Sequence, residues 1–354
     1  MKAHLLLFLL FTVGFSQEPS AALNSVTADP LLPKELQICS FNIQFLGLSN
    51  SRDSVALANY IKNQNCDLIV VQELIAPPDL NKLTTTFTDF SDRKPFFLDG
   101  TPYRADTASS SFFGAMAAVG YTDFWLSEED TGTSKKNKSN GSNTEWWVVF
   151  YRADKVKPAE PLQNISGFLD VKLAANPTFD RVPYSFAFQT LDEKFDFVLI
   201  NVHLHPGPAP RDRDRRLKEL RGIYSWIDEA KKISNERDFI IIGDMNIEHS
   251  MELSTVLLDT PFVSLNVDAK TYTNTNIKKP KPYDHVLLDP SVTTEINHVD
   301  NFFVADLIES MSSFWLYSQG AYPGKPYVHD NFRWFFSDHH LVHFKAVYGA
   351  QDDD

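Results

Sequence analysis

Short, uninterrupted apolar runs punctuate this chain, and several stop abruptly at polar residues. Leu36–Phe41 predicts a strand ending at Asn42. Ser51–Lys62 spaces Val55, Leu57, Ala58 and Ile61 as one face of a helix. Leu68–Val71 predicts a second buried strand, ending in Gln72-Glu73, and Pro77-Pro78 closes the unit. A strand–helix–strand unit implies parallel pairing and a ligand crevice at the strands' carboxyl ends. Phe112–Tyr121, FFGAMAAVGY, predicts a strand of small residues. A polar loop over 127–144 follows, and Trp146–Tyr151 returns to a strand. Val182–Gln189 and Phe195–Val202 predict strands joined by a charged turn at Asp192–Lys194. His203-Leu204-His205 then runs into Pro-Gly-Pro, a hard stop. Arg211–Lys232 carries Leu217, Leu220, Ile223, Tyr224 and Ile227 at helical spacing. Further strands are predicted at 239–243, Asp284–Leu288 and Leu341–Val347. No stretch reads as a linker, so the pattern predicts a single α/β domain over 36–348 with strands in two groups.

The pivotal stretch is Phe239–Asn246, FIIIGDMN. Its glycine allows a sharp bend or a close approach to a ligand. Asp244 and Asn246 then stand at the strand's carboxyl end, a hard anionic oxygen beside an amide that both donates and accepts. That pairing suits a divalent cation together with a phosphate, although Asx-rich turns after strands are common. Other strand ends add Asn42, Glu73, His203, Asp284, Asp338 and His339. Taken singly, each has an ordinary reading: a strand-end cap, a solvated strand end, a satisfied core histidine. Together, Glu73, Asp244 and Asp338 form an oxygen-rich set for Mg²⁺, Mn²⁺ or Ca²⁺, and no Cys–His spacing suggests zinc. Two histidines beside such a cation can divide acid and base duties near neutral pH, with Asp284 orienting one of them.

Composition bounds this picture. The 354 residues are 43% hydrophobic and 13% aromatic, enough for a large core. Met1–His4, an apolar run over Leu5–Phe15 and Ser16-Gln17 together read as a signal peptide cleaved after Ser16. Residues 17–35 read as a flexible lead-in, 349–354 as an acidic tail, and the mature protein as secreted, extracellular or periplasmic. No run is long enough to span a bilayer, and a monomer without stable membrane association is expected. Cys39 and Cys66 sit at the starts of apolar runs, and two buried free thiols are expected, although export permits a disulfide. Sequons stand at Asn137, Asn140 and Asn164. The net charge of −13 counts against a sequence-independent polyanion binder but not against an enzyme whose site is locally positive.

The ordered set SFNIQ (40–44), DLIVVQE (67–73), NVHLH (201–205), IIGDMN (241–246), YDHVLL (283–288) and SDHH (337–340) resembles the endonuclease/exonuclease/phosphatase superfamily, and within it the DNase I-like branch. The likeness spans Leu36 to Val347. It implies a four-layer sandwich of two face-to-face mixed β-sheets with helices outside, and metal-dependent hydrolysis of phosphoesters. It also implies roles. Glu73, Asn42, Asp244 and Asp338 would surround the metal, and Asn246, Arg181 and Asn42 would hold the phosphate. His203 and His339 would be the catalytic pair, with Asp284 orienting His339, Glu145 pairing with His203, and Asp244 at the reacting centre. Glu145 and Arg181 stand in the segments Glu145–Arg152 and Asp180–Pro183, which resemble the DNase I branch specifically.

The sequence also departs from that branch. Ile75 replaces an arginine, Asn143 a minor-groove tyrosine, and Gln44 a basic residue. Lys135, Lys136 and Lys138 could supply phosphate contacts instead, or belong to a solvated loop. The aromatic segment 311–336 is either a substrate-side loop or a local hydrophobic cluster, and His205, His249, His285 and His340 have no assigned role. The expected activity is an endonuclease on DNA using Mg²⁺, Mn²⁺ or Ca²⁺. The alternatives are a sphingomyelinase-like or inositol-phosphate phosphohydrolase of the same fold, and an inactive binding module.

Overall fold

The computed structural model describes residues 33–48, 51–78, 107–131, 144–169, 179–316, 320 and 328–349. The strands of the first half are β1 (Lys34–Leu46), β2 (Leu68–Leu74), β3 (Asp123–Leu126), β4 (Trp146–Tyr151), β5 (Val156–Pro158), β6 (Gly167–Phe168) and β7 (Tyr184–Thr190). Those of the second half are β8 (Asp196–His203), β9 (Phe239–Asp244), β10 (Val263–Ser264), β11 (Asp284–Leu288), β12 (Phe303–Ala305) and β13 (Leu341–Tyr348). The helices are α1 (Ser54–Asn63), α2 (Thr107–Ala118), α3 (Pro210–Ala230), α4 (Ser250–Leu257), α5 (Leu307–Ser310) and α6 (His329–Phe335). One sheet runs β12-β13-β1-β2-β4-β3, and the other runs β10-β11-β9-β8-β7-β5 with β6 beside β7. Both are mixed: β1 pairs parallel with β2 and β8 parallel with β9, while the neighbouring pairs are antiparallel.

The apolar runs are continuous because both faces of the central strands are covered. Leu36, Ile38, Val70, Trp147 and Val149 of one sheet meet Phe186, Phe197, Ile240, Ile242 and Val286 of the other in a shared core. The alternate residues Phe41, Ile69, Val71, Val148 and Phe150 face outward onto Leu57 and Ile61 of α1 and Phe112 and Met116 of α2. On the far side, Val202, Ile241 and Leu287 pack against Ile223 and Ile227 of α3 and Leu253 of α4. This is the expected four-layer arrangement.

The sheets are laced together by a buried polar bridge just below their carboxyl edge. Gln72 Nε2 donates to Asn201 Oδ1 at 2.7 Å, and Asn201 Nδ2 donates to the Val71 carbonyl at 3.2 Å. Gly243 sits in the same layer with φ 138°, where an added Cβ would lie 2.2 Å from the Val202 carbonyl oxygen. The glycine therefore serves close strand approach.

Three expectations are corrected. Phe112–Tyr121 is not a strand: α2 covers Thr107–Ala118, and the nearby strand is β3. Phe112, Phe113 and Met116 are buried while Gly114 and Ala118 are exposed, a helical face that the run of small apolar residues concealed. Cys39 and Cys66 are not free thiols but a disulfide with Cα atoms 5.9 Å apart, because the parallel register sets Cys39 opposite Ile69 at the start of β2. The lead-in ends earlier than residue 35, since Lys34 and Glu35 already pair with Tyr348 and Val347.

The aromatic segment 311–336 resolves, over its described part, into the hydrophobic cluster: Phe332 and Phe336 are fully buried and Trp315 stacks on Phe332. The proposed signal peptide, Lys135, Lys136, Lys138, Asn143, the sequons at Asn137 and Asn140, and the acidic tail lie outside the described residues. Asn164 is described and exposed. Among the described residues no helix is long and apolar enough to cross a membrane.

Candidate active site

The two parallel pairs bring four side chains to one edge. The strand expected to end at Asn42 continues to Leu46, and Asn42 stands inside β1 where its register with β2 shifts; Glu73 lies near the end of β2, His203 ends β8 and Asp244 ends β9. The amide of Asn42 ties both sheets together there, donating from Nδ2 to Glu73 Oε1 at 3.1 Å and to Asp244 Oδ2 at 3.0 Å. Three residues at the same edge hold a strained backbone. Phe45, Glu73 and Asn246 hold φ of 50°, 65° and 52°, in the left-handed region that non-glycine residues avoid. Each is held in place. The Phe45 N–H donates to Glu73 Oε2 at 2.8 Å, the Glu73 N–H to Glu145 Oε2 at 2.6 Å, and the Asn246 N–H to Asp244 Oδ1 at 2.9 Å.

Two histidine–carboxylate pairs face one another across this edge. His203 Nδ1 lies 3.1 Å from Glu145 Oε1, and His339 Nδ1 lies 2.7 Å from Asp284 Oδ2. The outer nitrogens converge on one oxygen: His203 Nε2 is 3.5 Å and His339 Nε2 3.4 Å from Asp244 Oδ2. Arg181 completes the first pair, its Nε 2.9 Å from Glu145 Oε1. Asn246 Nδ2 donates to the Leu204 carbonyl at 3.0 Å. Asp338 is anchored by Gln44, whose Nε2 donates to Asp338 Oδ2 at 2.9 Å. Ser337 Oγ donates to the Asn42 carbonyl at 2.6 Å and so fixes the loop before β13 against β1. Every predicted site residue therefore reaches one cleft of about 340 Å³ or a side chain that lines it.

Burial and charge oppose one another here. Burial lowers the affinity of His339 for a proton, but Asp284, Asp244 and Asp338 outweigh it and raise the imidazole well above its usual range. His203 is raised more modestly, because burial and the Arg181 charge both resist Glu145 and Asp244. Burial pushes Glu145 up, yet the charges of His203 and Arg181 hold it below the usual carboxylate range. Burial raises Glu73, helped by the neighbouring Asp338 and Glu145. Burial and Asp244 likewise raise Asp338. Carboxylates forced together in this way call for a cation.

The donor set fits one. Asn42 Oδ1 and Asp338 Oδ1 are buried and find no hydrogen-bond partner among the described residues. Beside Glu73 and Asp244 they form an all-oxygen cage, the preference of hard divalent ions. Asp244, Asp284 and His339 also approach within 4.8 Å of one another. Asp284 Oδ2 is engaged by His339 at 2.7 Å, while Asp284 Oδ1 is buried with no hydrogen-bond partner among the described residues.

The sequence matches the endonuclease/exonuclease/phosphatase family over residues 39–339. The chain belongs to that family. Membership supports a hydrolase that acts on phosphoesters, and enzymes of this family generally use divalent metals. The chain is also similar to solved structures. One is an endonuclease/exonuclease/phosphatase family protein from Bacteroides thetaiotaomicron (14% identity, 89% of this chain and 98% of that one covered, TM-score 0.49). Another is D. rerio TDP2 complexed with a single-strand DNA product (16%, 88% and 98%, 0.49). A third is a mannosyl-6-phosphatase from B. thetaiotaomicron (15%, 88% and 99%, 0.47). No curated protein matches the sequence.

Several residues at this family site were not singled out by the sequence. Tyr283 lines the cleft and packs its ring 5.8 Å from that of His339. On α3, Glu219 accepts from the Asp180 and His205 backbone N–H groups at 2.6 and 2.9 Å. Arg216 donates to the His205 and Gly207 carbonyls at 2.9 and 2.8 Å. These two buried charges clamp the segments that carry Arg181 and His203. Their only sequence signal is a charged pair, three residues apart, within the α3 pattern. The unassigned histidines have local partners. His205 lies between Asp180 and Asp212, His249 caps α4, His340 accepts from the Leu307 N–H, and His285 contacts Ser264.

Proposed function

We propose that this chain is a secreted, metal-dependent phosphodiesterase whose substrate is nucleic acid, in the first place DNA. The observation that carries the reading is the convergence of His203 Nε2 and His339 Nε2 on Asp244 Oδ2, each ring backed by a carboxylate. Two imidazoles poised around one point suit in-line displacement at phosphorus. One His–carboxylate pair takes the proton of the attacking water and the other gives a proton to the departing 3′ oxygen. Arg181, Asn246 and Asn42 orient the phosphate. Glu73, Asp244, Asp338 and Asn42 Oδ1 would hold Mg²⁺, Mn²⁺ or Ca²⁺, which when bound neutralises charge growing on the phosphate oxygens. The buried Arg181–Glu145–His203 chain favours the nuclease over other activities of this fold, since it couples a phosphate grip to a catalytic ring.

Secretion is supported by the apolar run Leu5–Phe15 and by the Cys39–Cys66 disulfide, a bond of oxidising compartments. N-terminal sequencing of the mature protein should begin at Gln17. A sphingomyelinase-like lipid phosphodiesterase is the second reading. It is favoured by Ile75, an apolar side chain lining the cleft where the DNase I branch carries arginine.

The deciding experiment offers purified protein plasmid DNA, RNA, sphingomyelin and inositol phosphates, with Mg²⁺, Mn²⁺ or Ca²⁺ and with EDTA. Cation-dependent relaxation of the plasmid is expected. Cleavage of a lipid while the plasmid stays supercoiled replaces the nuclease with the second reading. No turnover with any cation leaves a binding module.

A further inference from the structure

Residues 269–283 carry Lys270, Lys278, Lys279 and Lys281 and no acid, in a chain whose net charge is −13. The loop is fastened to the catalytic segment. The Thr275 N–H donates to the Asp338 carbonyl at 2.7 Å and Thr275 Oγ1 to the Ser337 carbonyl at 3.0 Å. Thr273 Oγ1 accepts from the Asp284 N–H at 3.0 Å, and the Thr273 carbonyl accepts from the His340 N–H at 2.7 Å. Its tip is internally braced as well. Asn276 Oδ1 accepts from the Lys278 and Lys279 N–H groups, and Asn274 Nδ2 donates to the Lys279 carbonyl at 3.0 Å. Lys278 lies three residues beyond Thr275, so its Cα is within about 11 Å of that anchor.

The charges are not evenly spent. Lys270 pairs with Asp268 at 2.7 Å and Lys281 with Glu248 at 2.9 Å. Lys278 and Lys279 are exposed and form no ion pair among the described residues. Glu248 lines both the active-site cleft and a neighbouring groove of about 640 Å³ walled by Tyr272, Pro280 and Lys281. The groove thus shares Glu248 with the catalytic cleft, and the braced loop that supplies Lys270, Tyr272, Pro280 and Lys281 to its wall carries the two unspent positive charges immediately before Pro280.

We propose that this groove and Lys278–Lys279 bind the phosphates flanking the scissile one on a polynucleotide strand. The proposal rests on the nucleic-acid reading above and assigns the surface that binds the rest of the strand. A flexible lysine tail would attract any polyanion. A loop hydrogen-bonded to the segment carrying Asp338 and His339 instead holds its charges in fixed register with the reacting phosphate, which is how backbone contacts position a strand.

The test compares the full chain with a Lys278→Gln/Lys279→Gln variant on three probes: a DNA oligonucleotide across a salt series, bis(4-nitrophenyl) phosphate, and phosphatidylserine vesicles. The variant should show a severalfold higher KM on DNA and a salt dependence shallower by about 2, one for each lost phosphate contact. Its turnover of the small diester should equal that of the wild type, which also shows that the fold is intact. DNA cleavage with an unchanged salt slope overturns this surface and leaves the nuclease standing. Hydrolysis of the small diester by a wild type that neither binds nor cleaves DNA overturns the nucleic-acid reading itself. Vesicle binding lost in the variant, with DNA binding kept, assigns the lysines to a membrane and overturns the proposal.

Discussion

A histidine in this protein is defined by what its inner nitrogen touches. His203 and His339 each lean on a carboxylate and aim the other nitrogen at Asp244. Truncating either ring should lower turnover by about 10²- to 10⁴-fold, the usual worth of a positioned acid or base. Circular dichroism should show a folded protein, and a folded His339→Ala variant with wild-type rates refutes the assignment. His285 is the contrasting case. It is fully buried, and its partner Ser264 Oγ, 2.9 Å away, itself donates to the Asn266 carbonyl. Its Nδ1–H therefore donates to Ser264, which leaves the buried Nε2 lone pair without a donor among the described residues. Burial lowers the His285 pKa to about 4 from 6.5. Between those values the unfolded chain binds the proton and the folded one does not, so stability falls as pH drops from 6.5 to 4. The loss attributable to this ring is about 3 kcal/mol. Denaturant titrations of wild type and His285→Gln across that window should converge as pH falls; parallel curves dismiss the ring as the cause.

Elements explain which parts of the fold were legible in the chain. Central strands such as β2 and β9 announce themselves, because burial on both faces forces continuous apolar runs and their polar ends mark the crevice. The candidate site residues were readable for the same reason: Glu73, His203 and Asp244 are where the apolar runs of β2, β8 and β9 give way at one edge, and Asn42 follows the run Leu36–Phe41 within β1. Helix α2 was not readable. Its small residues erase the contrast between faces, and only the buried Phe112, Phe113 and Met116 betray its period. The α3 clamp of Arg216 and Glu219 was hidden because a charged pair on a helix normally faces water, whereas these two are buried against the site. The disulfide depended on the register between β1 and β2, which the sequence does not state. One glycine was readable only in part. Gly243 read as a sharp bend or a close approach to a ligand, but it sits inside β9 so that Val202 of β8 can lie against it. Gly243→Ala puts a methyl against the backbone oxygen of a central strand, which no side-chain rotation can relieve. A loss of about 2–3 kcal/mol is expected, from strain and overpacking together. Chemical denaturation measures it directly, and an unperturbed midpoint would mean that β8 and β9 yield more easily than their central position suggests.

At the scale of the molecule, the site is a seam. Asn42 and Glu73 come from the sheet centred on β1, Asp338 from the loop entering β13, and Asp244 from the opposite sheet. The Gln72–Asn201 bridge and the Asn42 amide hold the two halves in register, but the carboxylates they bring together repel one another across it. A cation bound at this seam would replace repulsion with shared attraction and tie one sheet to the other. Its binding energy then becomes folding energy, about 2.7 kcal/mol when the ion is present at a hundred times its dissociation constant. In a chain of this size that corresponds to a rise in the thermal midpoint of roughly 4 °C. The rise should be reversed by EDTA. Glu73→Gln should split the two effects: with one negative charge removed from the seam, the metal-free protein unfolds at a higher temperature than the wild type, yet Mg²⁺, Mn²⁺ and Ca²⁺ no longer raise its midpoint. Differential scanning calorimetry of both proteins, with and without each cation, reads all of this without any substrate. A wild type whose midpoint ignores every cation would show that these carboxylates, though gathered, do not hold a metal between the sheets.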